Sequence, residues 1–180
     1  MHSSSLVAFA LAGGPALVAA AGQLGFAVGN TNPDGSCKKQ ADFEEDFKAI
    51  TDNTHSTLVR TYSSSDTFGN LCNTPSEILP AAKNSGVQVL LGMWPDGGVY
   101  QKEKDPIVAA DPESFGDTLF GITVGSEGMY RGTYTADELT EWIGDMKKQF
   151  PNTKIGTADS WNCWYNGSMD GIIKSGLDLV

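Results

Sequence analysis

Short β-rich apolar runs return along this chain at the spacing of one strand-helix unit, and that period limits the possible folds more than composition does. The runs cover 24–28, 57–62, 87–93, 119–124 and 153–158, and a sixth begins at Leu177. Successive starts lie about 30 to 35 residues apart until the last, the length of one βα unit. Helical patterns fill the intervals. Phe43, Phe47 and Ile50 fall at i, i+4, i+7, and Leu139, Trp142, Ile143 and Met146 at i, i+3, i+4, i+7. Each set is one apolar stripe for packing on a sheet. Capping boxes predict two helix starts, at Thr74-Pro75-Ser76-Glu77, with proline in the first helical position, and at Thr135-Ala136-Asp137-Glu138. Gly86 is expected to close the first of these helices, and Asp105-Pro106 and Asp111-Pro112 to open further helical turns.

Such alternation means a parallel sheet with right-handed crossovers, either an open doubly wound sheet or part of an eight-stranded barrel. The two differ in where polar residues fall. An open sheet gathers its ligand groups at one switch point, whereas a barrel places them at the C-terminal ends of many strands. Here Arg60 and Tyr62 end the second strand, Trp94 and Asp96 the third, Ser126 and Glu127 the fourth, and Asp159, Trp161 and Asn162 the fifth. The barrel fits better. The turn after the first strand runs Gly29-Asn30-Thr31-Asn32-Pro33-Asp34-Gly35 and holds no GxGxxG, so no dinucleotide cofactor is expected. A whole barrel needs about 250 residues. The expected fold is therefore α/β, a (β/α)8 TIM-type barrel that is incomplete, with about five βα units plus the start of a sixth strand.

Residues Leu6 to Ala21 form an apolar run interrupted by Gly13, Gly14 and Pro15, too short and broken for a membrane span. Ala19 and Ala21 supply a small-x-small cleavage pattern, so 1–21 is expected to be a secretory signal peptide and 22–180 the mature domain, although no Lys or Arg precedes the apolar run. The alternative is a buried N-terminal helix. A secreted protein lets its cysteines oxidise and gives weight to the single sequon, Asn166-Gly167-Ser168, as a glycosylation site. Twelve Lys and Arg against 22 Asp and Glu give a net charge of −10, which excludes the basic surface that nucleic acid requires. Only His2 and His55 are histidines, and the first lies in the expected leader, so no metal site is expected.

The fourth strand delivers Glu127 beside Tyr130 and Arg131. Partial desolvation under aromatic rings would raise its pKa toward the working pH of a general acid. The plain alternative is a loop glutamate paired with Arg131. Tyr62, Trp94, Tyr130, Trp161, Trp164 and Tyr165 all fall at or just beyond strand ends, where their faces could stack on sugar rings while Asp96, Asp159 and Asn162 bind hydroxyls. Ordinary aromatic packing of loops is the competing account.

Five segments carry a resemblance: Gly25-Phe26-Ala27-Val28-Gly29; Leu58 to Ser63 (LVRTYS); Val89 to Asp96 (VLLGMWPD); Ile122 to Glu127 (ITVGSE) with Tyr130-Arg131-Gly132; and Ile155 to Asn162 (IGTADSWN). In this order they resemble the first five strands of fungal glycoside hydrolase family 17, the secreted β-1,3-glucanases and cell-wall glucanosyltransferases. The resemblance covers essentially the whole of 22–180. It implies a retaining two-carboxylate mechanism on β-1,3-glucan, with Glu127 as general acid/base and Arg60, Tyr62, Trp94, Asp96, Ser126, Tyr130, Arg131, Asp159, Trp161 and Asn162 as candidate substrate contacts. Many members have Asn before that glutamate, where this chain has Ser126. The family's nucleophilic glutamate lies at the end of the seventh strand, and this sequence reaches Val180 as the sixth begins. The chain is therefore expected to be a truncated copy without the nucleophile, inactive alone and prone to self-association through its open sheet edges.

Cys37 and Cys72 follow adjacent strands and are expected to bridge, leaving Cys163 without a partner in this chain; the alternative is that all three stay reduced. Two other functional readings remain open: a secreted glucan-binding remnant without turnover, and a complete open-sheet α/β binding domain.

Overall fold

The computed structural model describes residues 23–65 and 72–180, so the expected leader over 1–21 lies outside the described residues. Five strands form one sheet: β1 (Phe26–Ala27), β2 (Leu58–Arg60), β3 (Gln88–Met93), β4 (Leu119–Ser126) and β5 (Ile155–Ala158). Every neighbouring pair is parallel, and the order in space is the order in sequence. A doubly wound sheet reverses its strand order at a switch point. This sheet never reverses, which removes the open-sheet alternative. Leu179 continues the series through a parallel bridge to Gly156, where the sequence places a sixth strand. A Cβ added to Gly121 on β4 would lie 2.6 Å from Leu179 Cδ1. Contact between alternate strands, here the fourth and the sixth, is the layering of a (β/α)8 interior.

Helices α1 (Gln40–Thr54), α2 (Thr74–Ser85), α3 (Tyr100–Ala109), α4 (Gly128–Arg131), α5 (Ala136–Gln149), α6 (Trp161–Tyr165) and α7 (Asp170–Lys174) fill the connections, with 3-10 turns at Asp96–Gly98 and Pro112–Thr118. The core lies between helices and sheet. Val59, Val89, Leu91, Met93, Ile122 and Val124 are buried with Phe43 and Phe47 of α1, Ile78 and Leu79 of α2, and Leu139, Ile143 and Met146 of α5. Phe43, Phe47, Leu139, Ile143 and Met146 belong to the helical stripes read from the sequence, whose Ile50 and Trp142 are only partly buried, and each fully buried side chain contributes about 1.5 to 3 kcal/mol. Leu58 and Leu90, of the opposite strand parity, are only half-buried.

Five local expectations meet different outcomes. The capping box at Thr135 forms, with Glu138 N–H donating to Thr135 Oγ1 at 3.2 Å and Thr135 N–H to Glu138 Oε2 at 2.7 Å. The box predicted at Thr74 does not. Thr74 is itself helical and donates its hydroxyl to the Cys72 carbonyl, while Glu77 accepts the Gln40 N–H at 3.0 Å and so caps α1 instead. Packing of α1 on α2 puts a neighbour's orphan amide within reach of Glu77, and that tertiary partner wins. Pro106 does not open a helix either, because α3 begins at Tyr100; the turn ahead of the proline carries Glu103, whose buried carboxylate is anchored to other elements. Gly86 closes α2 in the left-handed conformation, and Pro112 opens its 3-10 turn.

Cys37 and Cys72 form a disulfide, with Cα atoms 5.2 Å apart, which ties the loops after β1 and β2. Cys163 on α6 is a buried free thiol.

Candidate active site

The end of β4 is shaped by a bulge. Thr123 pairs with Gly156 and Ser126 with Ala158, so β4 spends one more residue than β5 over the same stretch. Gly125 absorbs it at φ 83°, a conformation that favours glycine. The bulge re-aims the chain, and Glu127 follows at φ 56° and ψ 18°. Glu127, His55 and Asp111 are the non-glycine residues with positive φ among the described residues. Asp and His tolerate that region better than most, whereas glutamate gains nothing there by itself, and such outliers gather at functional sites.

Three residues hold the turn. Glu127 N–H donates to the Ala158 carbonyl at 3.0 Å. Asp159, at the end of β5, accepts the N–H groups of Met129 (3.0 Å) and Tyr130 (3.2 Å), and also that of Ser160 (2.7 Å). The Tyr134 hydroxyl accepts the Gly128 N–H at 3.2 Å. Tyr134 is buried, and burial first, then the Asp159 charge, push its phenol above the ordinary tyrosine range. Sequence reasoning missed this residue, since a tyrosine eight positions past a strand end carries no local signal.

Glu127 itself is exposed, not tucked under aromatic rings as expected. Tyr130, the ring nearest in sequence, is 57% exposed and does not cover it. Nor is it a loop glutamate paired with Arg131. Arg131 Nη2 donates to the Ser126 carbonyl at 2.7 Å and to Asp96 Oδ2 at 2.8 Å, and its guanidinium carbon lies 4.5 Å from the Trp94 ring centre. Thr133 Oγ1 donates to the other Asp96 oxygen at 3.0 Å. Trp94 meets Tyr62 edge-on at 6.5 Å, and Arg60 stacks over Tyr62 at 4.7 Å. A continuous rim of cations and rings thus runs from Arg131 to Arg60 at the end of β2.

Below this rim a cleft opens between the ends of β1, β2 and β3, bordered by Gly29, Asn30, Thr61, Tyr62, Ser63 and Trp94. Trp161 and Tyr165 stand 75% and 86% exposed on α6, with rings 6.4 Å apart. Trp164, by contrast, turns inward and donates its indole N–H to the Asp159 carbonyl. Two buried side-chain polar atoms lack any hydrogen-bond partner among the described residues: the Nε of Arg60 and the Oδ1 of Asn162. Both belong to residues at or just past strand C-terminal ends. Among the described residues no group of three or more His, Cys, Asp or Glu side chains could hold a metal ion, and no helix is long and apolar enough to cross a membrane.

Residues 25–179 match the family model described as the BtgE/BtgC glycoside hydrolase domain. The chain belongs to this family. Within it, the chain is 46% identical over 181 residues to a glucan 1,3-beta-glucosidase of Arthroderma benhamiae, covering 100% of this chain and 56% of that protein. A glucan 1,3-beta-glucosidase of Saccharomyces cerevisiae is 32% identical over 170 residues, 88% of this chain and 52% of that one. The chain thus spans about half the length of the relatives it matches. The crystal structure of the glycoside hydrolase family 17 beta-1,3-glucanosyltransferase from Rhizomucor miehei superposes with a TM-score of 0.63 at 23% identity, over 84% of this chain and 63% of that chain. An active-site mutant of that transferase, in complex with laminaritriose, also gives a TM-score of 0.63. The family and the partial barrel are those implied by the five resembling segments.

Proposed function

We propose that Glu127 is the general acid/base of a retaining β-1,3-glucan hydrolase or glucanosyltransferase of the fungal cell wall, and that the rim from Arg60 to Arg131 holds the glucan. The observation that supports this reading is the rim at the strand ends where Glu127 emerges: Arg131 lies over Trp94, Trp94 meets Tyr62 edge-on, and Arg60 lies over Tyr62. A sugar hydroxyl both donates and accepts, and the apolar face of a sugar ring suits Tyr62, Trp94 and Trp161. A neutral polysaccharide needs no basic groove, so a net charge of −10 is no obstacle. Asp96, held by Arg131 and Thr133, and Asp159, held by three amides, act by orienting this wall.

In a retaining mechanism one carboxyl protonates the leaving glycosidic oxygen while a second attacks the anomeric carbon. The first group then takes a proton from water in hydrolysis, or from a glucan hydroxyl in transfer. Glu127 fills the first role. The second carboxylate is the one that the family 17 resemblance puts on a seventh strand. Secretion accords with the Cys37–Cys72 disulfide and with an exposed sequon, where Asn166 Oδ1 accepts both the N–H and the hydroxyl of Ser168 and so leaves its amide nitrogen free to carry a glycan.

The test compares wild type with Glu127→Gln in a chain extended through a seventh-strand glutamate, on laminarin. General acid catalysis supplies about 10²- to 10⁴-fold, so the variant should lose at least about a hundredfold. A loss below about tenfold on this unactivated substrate overturns the assignment. An aryl glucoside with an activated leaving group should suffer less.

A further inference from the structure

Glu103 is a buried carboxylate for which the mechanism above has no use. It lies in the first turn of α3, 2% exposed, and no lysine or arginine pairs with it among the described ion pairs. Its oxygens accept three backbone amides, those of Ser64 (2.9 Å), Ser65 (3.3 Å) and Trp94 (2.9 Å). The hydroxyls of Ser63 (2.8 Å), Ser64 (3.2 Å) and Ser65 point at the same oxygens. An ionised carboxylate is an acceptor only, with about four lone-pair positions, so this cradle saturates it. Asn30 Nδ2 donates to the Ser65 carbonyl at 2.8 Å and extends the network to the loop after β1. The three loops fastened in this way are those that border the cleft.

We propose that Glu103 is a positioning residue for the glucan cleft: by gathering the amides of Ser64, Ser65 and Trp94 on one carboxylate it sets the Trp94 ring between Tyr62 and Arg131. The inference rests on the glucan reading for what the cleft binds, and on the cradle alone for what Glu103 does to the loops. A side chain with the same shape but an NH2 in place of one oxygen would point a donor at donors. One loop must then move or leave a buried amide unpaired. Trp94, whose own N–H is in the cradle, is the residue that records the change.

The experiment uses the 180-residue chain labelled with 5-fluorotryptophan, whose four indoles, Trp94, Trp142, Trp161 and Trp164, give separate fluorine resonances assigned by single Phe substitutions. In Glu103→Gln the Trp94 resonance should shift or broaden while that of Trp142 stays in place. Titration with laminaritriose should show affinity weakened about tenfold or more, the scale of a lost buried charged hydrogen bond. Ser65→Ala removes one hydroxyl from the cradle and should move the same resonance less, with about a threefold loss; it answers the question if Glu103→Gln does not fold. An unmoved Trp94 resonance, or Trp94 and Trp142 moving together as the whole core loosens, overturns the positioning role. If wild type does not bind laminaritriose, the glucan reading falls, and the Trp94 resonance still decides for or against Glu103.

Discussion

Gly125 and Tyr134 together hold the turn that carries Glu127, and each can be tested singly. A Cβ on Gly125 would sit 2.1 Å from the Tyr134 hydroxyl oxygen, on a backbone already at φ 83°. Gly125→Ala should therefore destabilise the chain by about 2 kcal/mol or more, from the left-handed backbone and the clash together, as read by urea denaturation. An unchanged midpoint would mean that the bulge relaxes without cost. Tyr134→Phe deletes the acceptor of the Gly128 N–H and should cost about 1 to 3 kcal/mol, the penalty for an unpaired buried amide. Asp159 resembles a substrate carboxylate in the sequence because it follows a strand, yet the amides of Met129, Tyr130 and Ser160 occupy it.

Between elements, α3 and α5 are joined by a stack of Tyr100 on Trp142, with ring centres 5.3 Å apart, and Tyr134 meets Trp142 edge-on at the same distance. Tyr100 donates its hydroxyl to Asp145 at 2.6 Å, and Lys104 pairs with the same oxygen. Burial first, then Asp145, push the Tyr100 phenol above its ordinary range, as burial does for Tyr134. A phenol with a raised folded pKa keeps its proton after the unfolded chain has lost its own. The stability it contributes is whole below about pH 10 and declines as pH rises beyond that value. Chemical denaturation at successive pH values should show this alkaline decline, and Tyr100→Phe should flatten it; an equally steep decline in the variant would assign it elsewhere. The Cys37–Cys72 bridge closes a separation of 35 residues. Loop closure of that length is worth roughly 3 to 4 kcal/mol in the chain-entropy model, so Cys37→Ala with Cys72→Ala should lower the unfolding free energy by about that amount.

At the scale of the whole molecule the five-stranded sheet presents β1 at one edge and the single Leu179 bridge at the other. Half-buried Leu58, Leu90 and Phe120 lie on strands of the same open sheet. Unpaired strand edges recruit other strands, so the 180-residue chain should elute from size-exclusion chromatography as dimers or larger species. A sharp monomer peak with a cooperative thermal transition would contradict this. Thiol titration reports on the same packing. Cys163 is buried, and burial first, then Asp159, raise its pKa, so native protein should give no reaction with Ellman's reagent. Denatured unreduced protein should then give one thiol per chain, and recovery of three would refute the disulfide.

The sequence by itself determined the βα period, the helix faces, the Thr135 cap and the position of Glu127 at a strand end, because each depends on residues within about one or two helical turns of one another. Even the neighbouring of Cys37 and Cys72 followed from strand order. Only the tertiary structure decided which polar groups meet across the fold. Arg131 chose Asp96 over Glu127 across 35 residues, Glu77 left its own helix to cap α1 across 37, and Glu103 found Ser64 across 39. An amide or a charge taken out of water accepts whichever partner the packing of sheet and helices brings within about 3 Å, and no spacing along the chain records that distance.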